Sequence, residues 1–152
     1  MRNDIQGLKE FYDSLTNEKE TFTLPFSSMV RHKLIITEEN MGKIVGVAGI
    51  TKDNSLFVAV ESEYQNQKIG QELVKKVVKK AIERNFSYIS LSVFEQNAKA
   101  IHIFSKLGFK TVHASTRNQR RFLVMVLPFN RRGVCYKGLL SIALMVLSAI
   151  RR

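Results

Sequence analysis

Cysteine is all but missing from this sequence, which carries only Cys135. A lone cysteine excludes an intramolecular disulfide and any Cys-rich zinc site, and it suits a reducing compartment, so a cytoplasmic location is expected. The three histidines, His32, His102 and His113, have no metal-ligand spacing to one another or to the cysteine, and no metal is expected. The opening residues MRNDIQGLKEFYDSL lack the apolar core of a secretory signal. Acidic residues vanish from the C-terminal part. From Lys110 onward stand Lys110, Arg117, Arg120, Arg121, Arg131, Arg132, Lys137, Arg151 and Arg152 with no Asp or Glu, which accounts for nine of the formal net charge of +11. Such a surplus favours anionic partners: phosphates, nucleic acid, acidic proteins or an anionic membrane.

What is present suits one compact domain: 152 residues, 45% of them hydrophobic, without an internal repeat. Ile5, Leu8, Phe11, Tyr12 and Leu15 recur at helical spacing and predict a first helix. HKLIITEENMGKIVGVAGI reads as two strands turned at EENMGK, and SLFVAV as a third strand after the turn KDNS. A long helix follows, with Ile69, Leu73, Val74, Val77, Val78, Ala81 and Ile82 as its apolar stripe and Lys75, Lys76, Lys79 and Lys80 opposite. With no aromatics among them, those lysines are expected to form a solvated face. YISLSVF alternates as a strand does. NAKAIHIFSKLGF predicts a helix capped by Asn97 and ended by Gly108, and FKTVHAS and RRFLVMVLPF a last strand pair. Strands alternating with helices, flanked by hairpins, indicate an α/β sheet of mixed direction. Residues 1–129 are expected to form the domain and 130–152 a basic, apolar tail. The apolar run from Val134 to Ile150, interrupted by Lys137, is at the lower limit for a bilayer span. Packing on its own domain or on a second copy, a peripheral membrane contact, a span and an unstructured end are its alternatives.

The chemistry is concentrated in QNQKIGQ, where the long helix begins. A helix N-terminus presents unpaired N–H groups and partial positive charge, and binds an anion if the chain before it comes close. Gly70 removes a side chain from that approach, Lys68 adds a charge, and Gln65, Gln67 and Gln71 add donors without carboxylates. On these residues alone, a phosphate cradle and a plain polar helix start both remain open.

The order of parts resembles the GNAT (Gcn5-related) N-acetyltransferase family over about residues 43 to 127. That family's turn reads Gln/Arg-x-x-Gly-x-Gly/Ala; here Gln65 and Gly70 match its ends and Lys68 replaces its central glycine. Its second signature, Asn-x-x-Ala-x-x-x-Tyr-x-x-x-Gly-Phe, is met at Asn97, Ala100, Gly108 and Phe109, with Phe104 in place of the tyrosine. A non-glycine residue at 68 fits such a turn if its φ is negative.

The resemblance implies a GNAT-like fold, a mixed, mostly antiparallel central sheet flanked by helices, from which this chain is expected to depart by lacking the first edge strand and carrying an extra apolar C-terminal segment. It implies an acetyl-CoA-dependent transfer of acetyl to a primary amine. Backbone amides of Gln65, Asn66, Gln67, Lys68, Ile69, Gly70 and Gln71 would hold the pyrophosphate. Val58, Ala59 and Val60 would pair with the pantetheine arm where the sheet splays between LFVAV and YISLSVF, with Asn97 and Phe104 nearby. Glu61 or Glu63 would take the amine proton, against the alternative of surface carboxylates in a turn. A phenyl ring at 104 cannot protonate the leaving thiolate, so turnover is expected to be slow. The acceptor is not written in the sequence; TFTLPFSSMVRHK is nominated to line its side, and a homodimer is a further expected partner. The rival is a non-catalytic module of the same fold that binds coenzyme A, or nucleic acid through the basic C-terminal region.

Overall fold

The computed structural model describes residues 2–15 and 24–129. The tail 130–152, with Cys135, lies outside the described residues, as do Thr21, Phe22 and Thr23 of the nominated acceptor segment. The elements in chain order are α1 (Arg2–Ser14), α2 (Phe26–Val30), β1 (His32–Asn40), β2 (Lys43–Thr51), β3 (Leu56–Val60), a 3-10 turn (Ser62–Tyr64), α3 (Ile69–Glu83), β4 (Tyr88–Phe94), α4 (Ala98–Lys106), β5 (Lys110–Arg117) and β6 (Arg120–Pro128). This is the α/β class expected, with antiparallel ladders and helices. Contacts divide it into two compact units, one running to Lys52 and resuming over Leu56–Ala81, the other comprising Asp53–Ser55 and the chain from Ile82 onward.

In the first unit β1, β2 and β3 lie in that order, each antiparallel to the next. Met41 and Gly42 turn the first hairpin with φ of 51° and 77°, the positive pair that matches strand twist in a two-residue turn. Leu8, Phe11 and Leu15 of α1 pack with Met29, Val47 and Phe57 in one buried cluster. Each such side chain contributes about 1.5–3 kcal/mol by leaving water. Leu73, Val74, Val77 and Ala81 are the buried stripe of α3, and Gly46 of β2 faces it: a Cβ there would stand 3.0 Å from Leu73 Cδ1. The stripes are narrower than their periodicity suggested. Ile5 and Ile82 remain 46% and 55% exposed because both sit at the rim of their helix's apolar arc. The helix α2 was not foreseen within TFTLPFSSMVRHK; Pro25 precedes it with φ −63°, and Met29 is its buried anchor.

In the second unit the strand order is β4-β6-β5, again antiparallel. Asn118 and Gln119, with φ of 49° and 63°, turn the β5–β6 hairpin. α4 is closed at both ends as its sequence proposed. The Asn97 side chain accepts the Ala100 N–H at 3.1 Å. At the other end Gly108, at φ 95°, lets its own N–H reach Ser105 O and that of Phe109 reach Phe104 O at 3.0 Å, a Schellman ending. The Phe104 and Phe109 rings meet edge-on 5.7 Å apart, the apolar contact that accompanies it. Asn97→Ala is expected to cost about 1 kcal/mol, which lowers the melting temperature by roughly 2–4 °C. An unchanged melt would show that the cap does not stabilise α4.

Candidate active site

β3 is an edge strand of its own sheet. Its register pairs Val60 with Gly46, Ala59 with Val47 and Val58 with Ala48, and the next residue, Glu61, donates its N–H to Val45 O at 2.9 Å. Bonded and non-bonded pairs alternate in an antiparallel ladder. Glu61 and Ala59 therefore commit their backbone to β2, whereas Val58 and Val60 turn theirs to the edge unpaired within this sheet. Of the three residues expected to receive an extended arm, two can do so. The Val60 carbonyl is already engaged, because Gln65 Nε2 donates to it at 3.1 Å.

The connection from β3 to α3 holds itself by local bonds. Tyr64 N–H reaches Glu61 O at 2.9 Å, Gln65 N–H reaches Ser62 O at 3.2 Å, and Gln67 Nε2 donates to Glu63 O at 3.2 Å. The side-chain amides of Gln65 and Gln67, read from sequence as anion donors, thus brace the turn. Lys68 also corrects its expectation: its φ is 65°, not negative, and Asn66 before it is at 62°. Asparagine adopts this region readily, whereas a lysine there costs about 1–2 kcal/mol. The Lys68 carbonyl accepts the Glu72 N–H at 3.0 Å, so α3 starts from it and the N–H groups of Ile69, Gly70 and Gln71 have no intrahelical partner. A Cβ on Gly70 would meet Val60 Cγ2 at 3.5 Å and Val58 Cγ2 at 3.8 Å, ordinary contact that admits alanine. We expect Lys68→Gly to raise the melting temperature by roughly 2–4 °C, since about 1 kcal/mol of strain outlasts the entropy that glycine adds to the unfolded chain. A lower melt would mean that the lysine side chain stabilises the turn by more than its backbone costs.

Sequence reading also missed a carboxylate. Glu72 lies in the first turn of α3, where it would oppose an anion, but Lys75 Nζ contacts it at 2.7 Å. That hydrogen bond, with lesser help from the charges of Lys76 and Lys68, holds the Glu72 carboxyl below the usual range and leaves its charge offset.

The two carboxylates read as candidate bases have different settings. Glu63 is exposed on the 3-10 turn. Glu61 is 9% exposed, with Lys43 Nζ at 2.9 Å from Oε1 and 3.1 Å from Oε2, and with the Ser14 hydroxyl at 2.8 Å from Oε1. It is not a surface residue of a turn. Ser14 Oγ also lies 2.6 Å from Phe11 O, so its one proton serves a single acceptor at a time. The hydrogen bond to Glu61 raises the Lys43 pKa above the ordinary lysine value. The protonated Lys43 therefore contributes in full below that value, and its contribution is lost as pH rises through the raised one, in strongly alkaline solution. Nothing in the sequence flagged Ser14 or Lys43, which reach Glu61 through the fold.

In the second unit, Asn97 is engaged as the α4 cap and Phe104 is buried, 8% exposed. His102 is exposed. Among the described residues no cluster of His, Cys, Asp and Glu is arranged to hold a metal, and no helix is long and apolar enough to cross a membrane.

Comparison with known proteins gives the class of this α/β fold. The model of the acetyltransferase (GNAT) family matches residues 5–109. The chain belongs to this family. The thialysine N-epsilon-acetyltransferase of Sus scrofa is 35% identical over 51 residues, 34% of this chain and 30% of that protein, so the match spans less than a third of the curated relative's length. A GNAT-family acetyltransferase of Streptococcus pneumoniae superposes with a TM-score of 0.74 at 19% identity, over 84% of this chain and 95% of that one. A Salmonella typhimurium protein solved with its cofactor acetyl-CoA superposes with a TM-score of 0.57 at 16% identity, over 66% of each chain. At these identities the structural likeness establishes the fold.

Proposed function

We propose that this protein is an acetyl-CoA-dependent N-acetyltransferase acting on a primary amine. The observation that carries the reading is the approach of β3 to the start of α3: across the connection of residues 61–68 the outward-facing backbone of Val58 and Val60 is followed by the N–H groups of Ile69, Gly70 and Gln71, which have no intrahelical partner, and a Cβ on Gly70 would meet Val60 Cγ2 at 3.5 Å. An extended arm that ends in a pyrophosphate has matching groups, with amide donors and acceptors for the arm and a helix N-terminus for the anion. The remaining members of the cradle, Gln65, Asn66 and Gln67, shape the turn around it.

In the transfer, the amine nitrogen forms a bond to the thioester carbonyl carbon and the carbon–sulfur bond breaks. The outward N–H of Val58 or Val60 is the donor available to the developing oxyanion. Glu61 or Glu63 accepts the amine proton, directly or through water. Phe104, in the tyrosine's place, has no proton to give, so the thiolate takes one from solvent; with a thiol pKa near 8.5 it leaves without help, though slowly. The cytoplasm is the compartment we assign, from the single Cys135.

The second reading, a module that binds coenzyme A without chemistry, is favoured by that same Phe104, packed on Phe109. Incubation with acetyl-CoA and a panel of amines, comprising a lysine peptide, a polyamine and an alanine-starting peptide, separates the two. Thiol release that requires an amine, with the acetylated product seen by mass spectrometry, is the result expected. Tight binding with no amine-dependent release would select the module.

A further inference from the structure

A cavity of about 500 Å³ lies between α1 and the β1–β2 hairpin, within the first unit. Its size suits a small organic molecule, and the proposed transfer makes no use of it. Leu8, Phe11, Ile35 and Ile44 supply apolar wall; Glu10 and Glu39, both exposed, supply carboxylates.

Two local departures from regular structure meet at this cavity. Gly7 stands inside α1, where glycine is the least favourable residue short of proline. It presents no side chain to the cavity, and a Cβ there would come within 3.4 Å of Ile44 Cδ1. The second departure is in the hairpin. Thr37 pairs with Val47 but Glu39 pairs with Ile44, two steps along β1 against three along β2. The extra residue is a β-bulge, and it turns Ile44 from the α3 side of the sheet to the α1 side, where it packs against the buried cluster. Rule-breaking features of this kind gather at functional sites.

The charge is equally particular. Lys43, the one cation in the wall among the described residues, directs its ammonium to Glu61 at 2.9 Å. Glu10 accepts only a neutral amide, from Gln6 at 3.0 Å, among the bonds described. The cavity therefore has a negative mouth over an apolar floor, in a chain of net charge +11. We propose that it is a binding site for an amphipathic cation: an alkyl chain of about six carbons carrying a primary ammonium. The chain lies on the half-buried Ile35 and Ile44, with the buried Leu8 and Phe11 behind them, and the ammonium sits between Glu10 and Glu39. The site stands whether or not the protein transfers acetyl groups.

Calorimetric titration of the full chain with n-hexylammonium, n-hexanol and hexanoate at one ionic strength tests it. We expect saturable binding of hexylammonium in the millimolar range that suits so small a ligand. Hexanol should bind about tenfold more weakly, the order that two exposed charge pairs supply, and hexanoate not at all. The double variant Glu10→Gln, Glu39→Gln should lose that tenfold with an unchanged melt, and Gly7→Leu, which fills the space, should lose binding altogether. Equal binding of hexanol and hexylammonium, full affinity in the double variant, or no saturable heat with the wild-type protein would each overturn the proposal.

Discussion

Replacing Gly70 by tryptophan is expected to weaken acetyl-CoA binding by at least a factor of about 100 while leaving the fold intact. The helix start offers three N–H groups, and a charge-assisted hydrogen bond contributes about 1.5–3 kcal/mol, so covering two of them already accounts for that factor. The fold should survive because the first atom of any side chain at 70 meets only methyl groups of Val60 and Val58, at 3.5 and 3.8 Å, and because glycine in a first turn is no asset to the helix. Gly70→Ala is the control. Its Cβ occupies space already at contact distance, so it should bind acetyl-CoA within about threefold of wild type. Calorimetry with the three proteins, beside their thermal melts, checks both statements. Binding by Gly70→Trp at wild-type strength would remove the cofactor from this turn.

The largest effect on stability is expected from Gly49→Ala. Gly49 lies in the middle strand, opposite Ile35 on β1 and Phe57 on β3. An added Cβ would come 2.5 Å from the carbonyl oxygen of Leu34 and 2.6 Å from Phe57 Cζ. Neither neighbour can give way cheaply, one being strand backbone and the other a core ring only 6% exposed. Overpacking of that kind costs about 3 kcal/mol or more, a fall in melting temperature of roughly 6–12 °C. Gly46→Ala in the same strand is milder, because its nearest neighbours, Leu73 Cδ1 at 3.0 Å and Ile69 Cγ2 at 3.2 Å, are side-chain methyl groups at longer distances rather than strand backbone. Equal melts for Gly49→Ala and wild type would contradict the close packing of β1, β2 and β3 described above.

The helices and strands were legible because their signals are local. The stripe Leu73, Val74, Val77, Ala81 and the alternation of YISLSVF state their periods outright, and the Asn97 and Gly108 ends of α4 follow from capping chemistry within one turn. Glycines 46 and 49 were not legible as packing residues, since what they permit is the approach of Leu73 and Phe57, and nothing near them in sequence says so. The cradle was legible as a polar turn with a glycine, but the sign of φ at Lys68 was not, because lysine seldom adopts the left-handed region and only the completed turn imposes it. Glu61 shows the limit most clearly. Its position at the end of β3 could be read, but its burial with Lys43 and Ser14 depends on contacts 18 and 47 residues away. The bulge at Val45 is equally silent, because nothing in KIVGVAG distinguishes a bulged strand from a regular one.

The most direct measurement is the amide NMR spectrum of the protein with and without acetyl-CoA. The account predicts shifts concentrated at Ile69, Gly70 and Gln71 and at the outward amides of Val58 and Val60, with Ala59, whose backbone is bonded to β2, moving less. Shifts absent from these residues, or gathered at the β5–β6 hairpin instead, would contradict it.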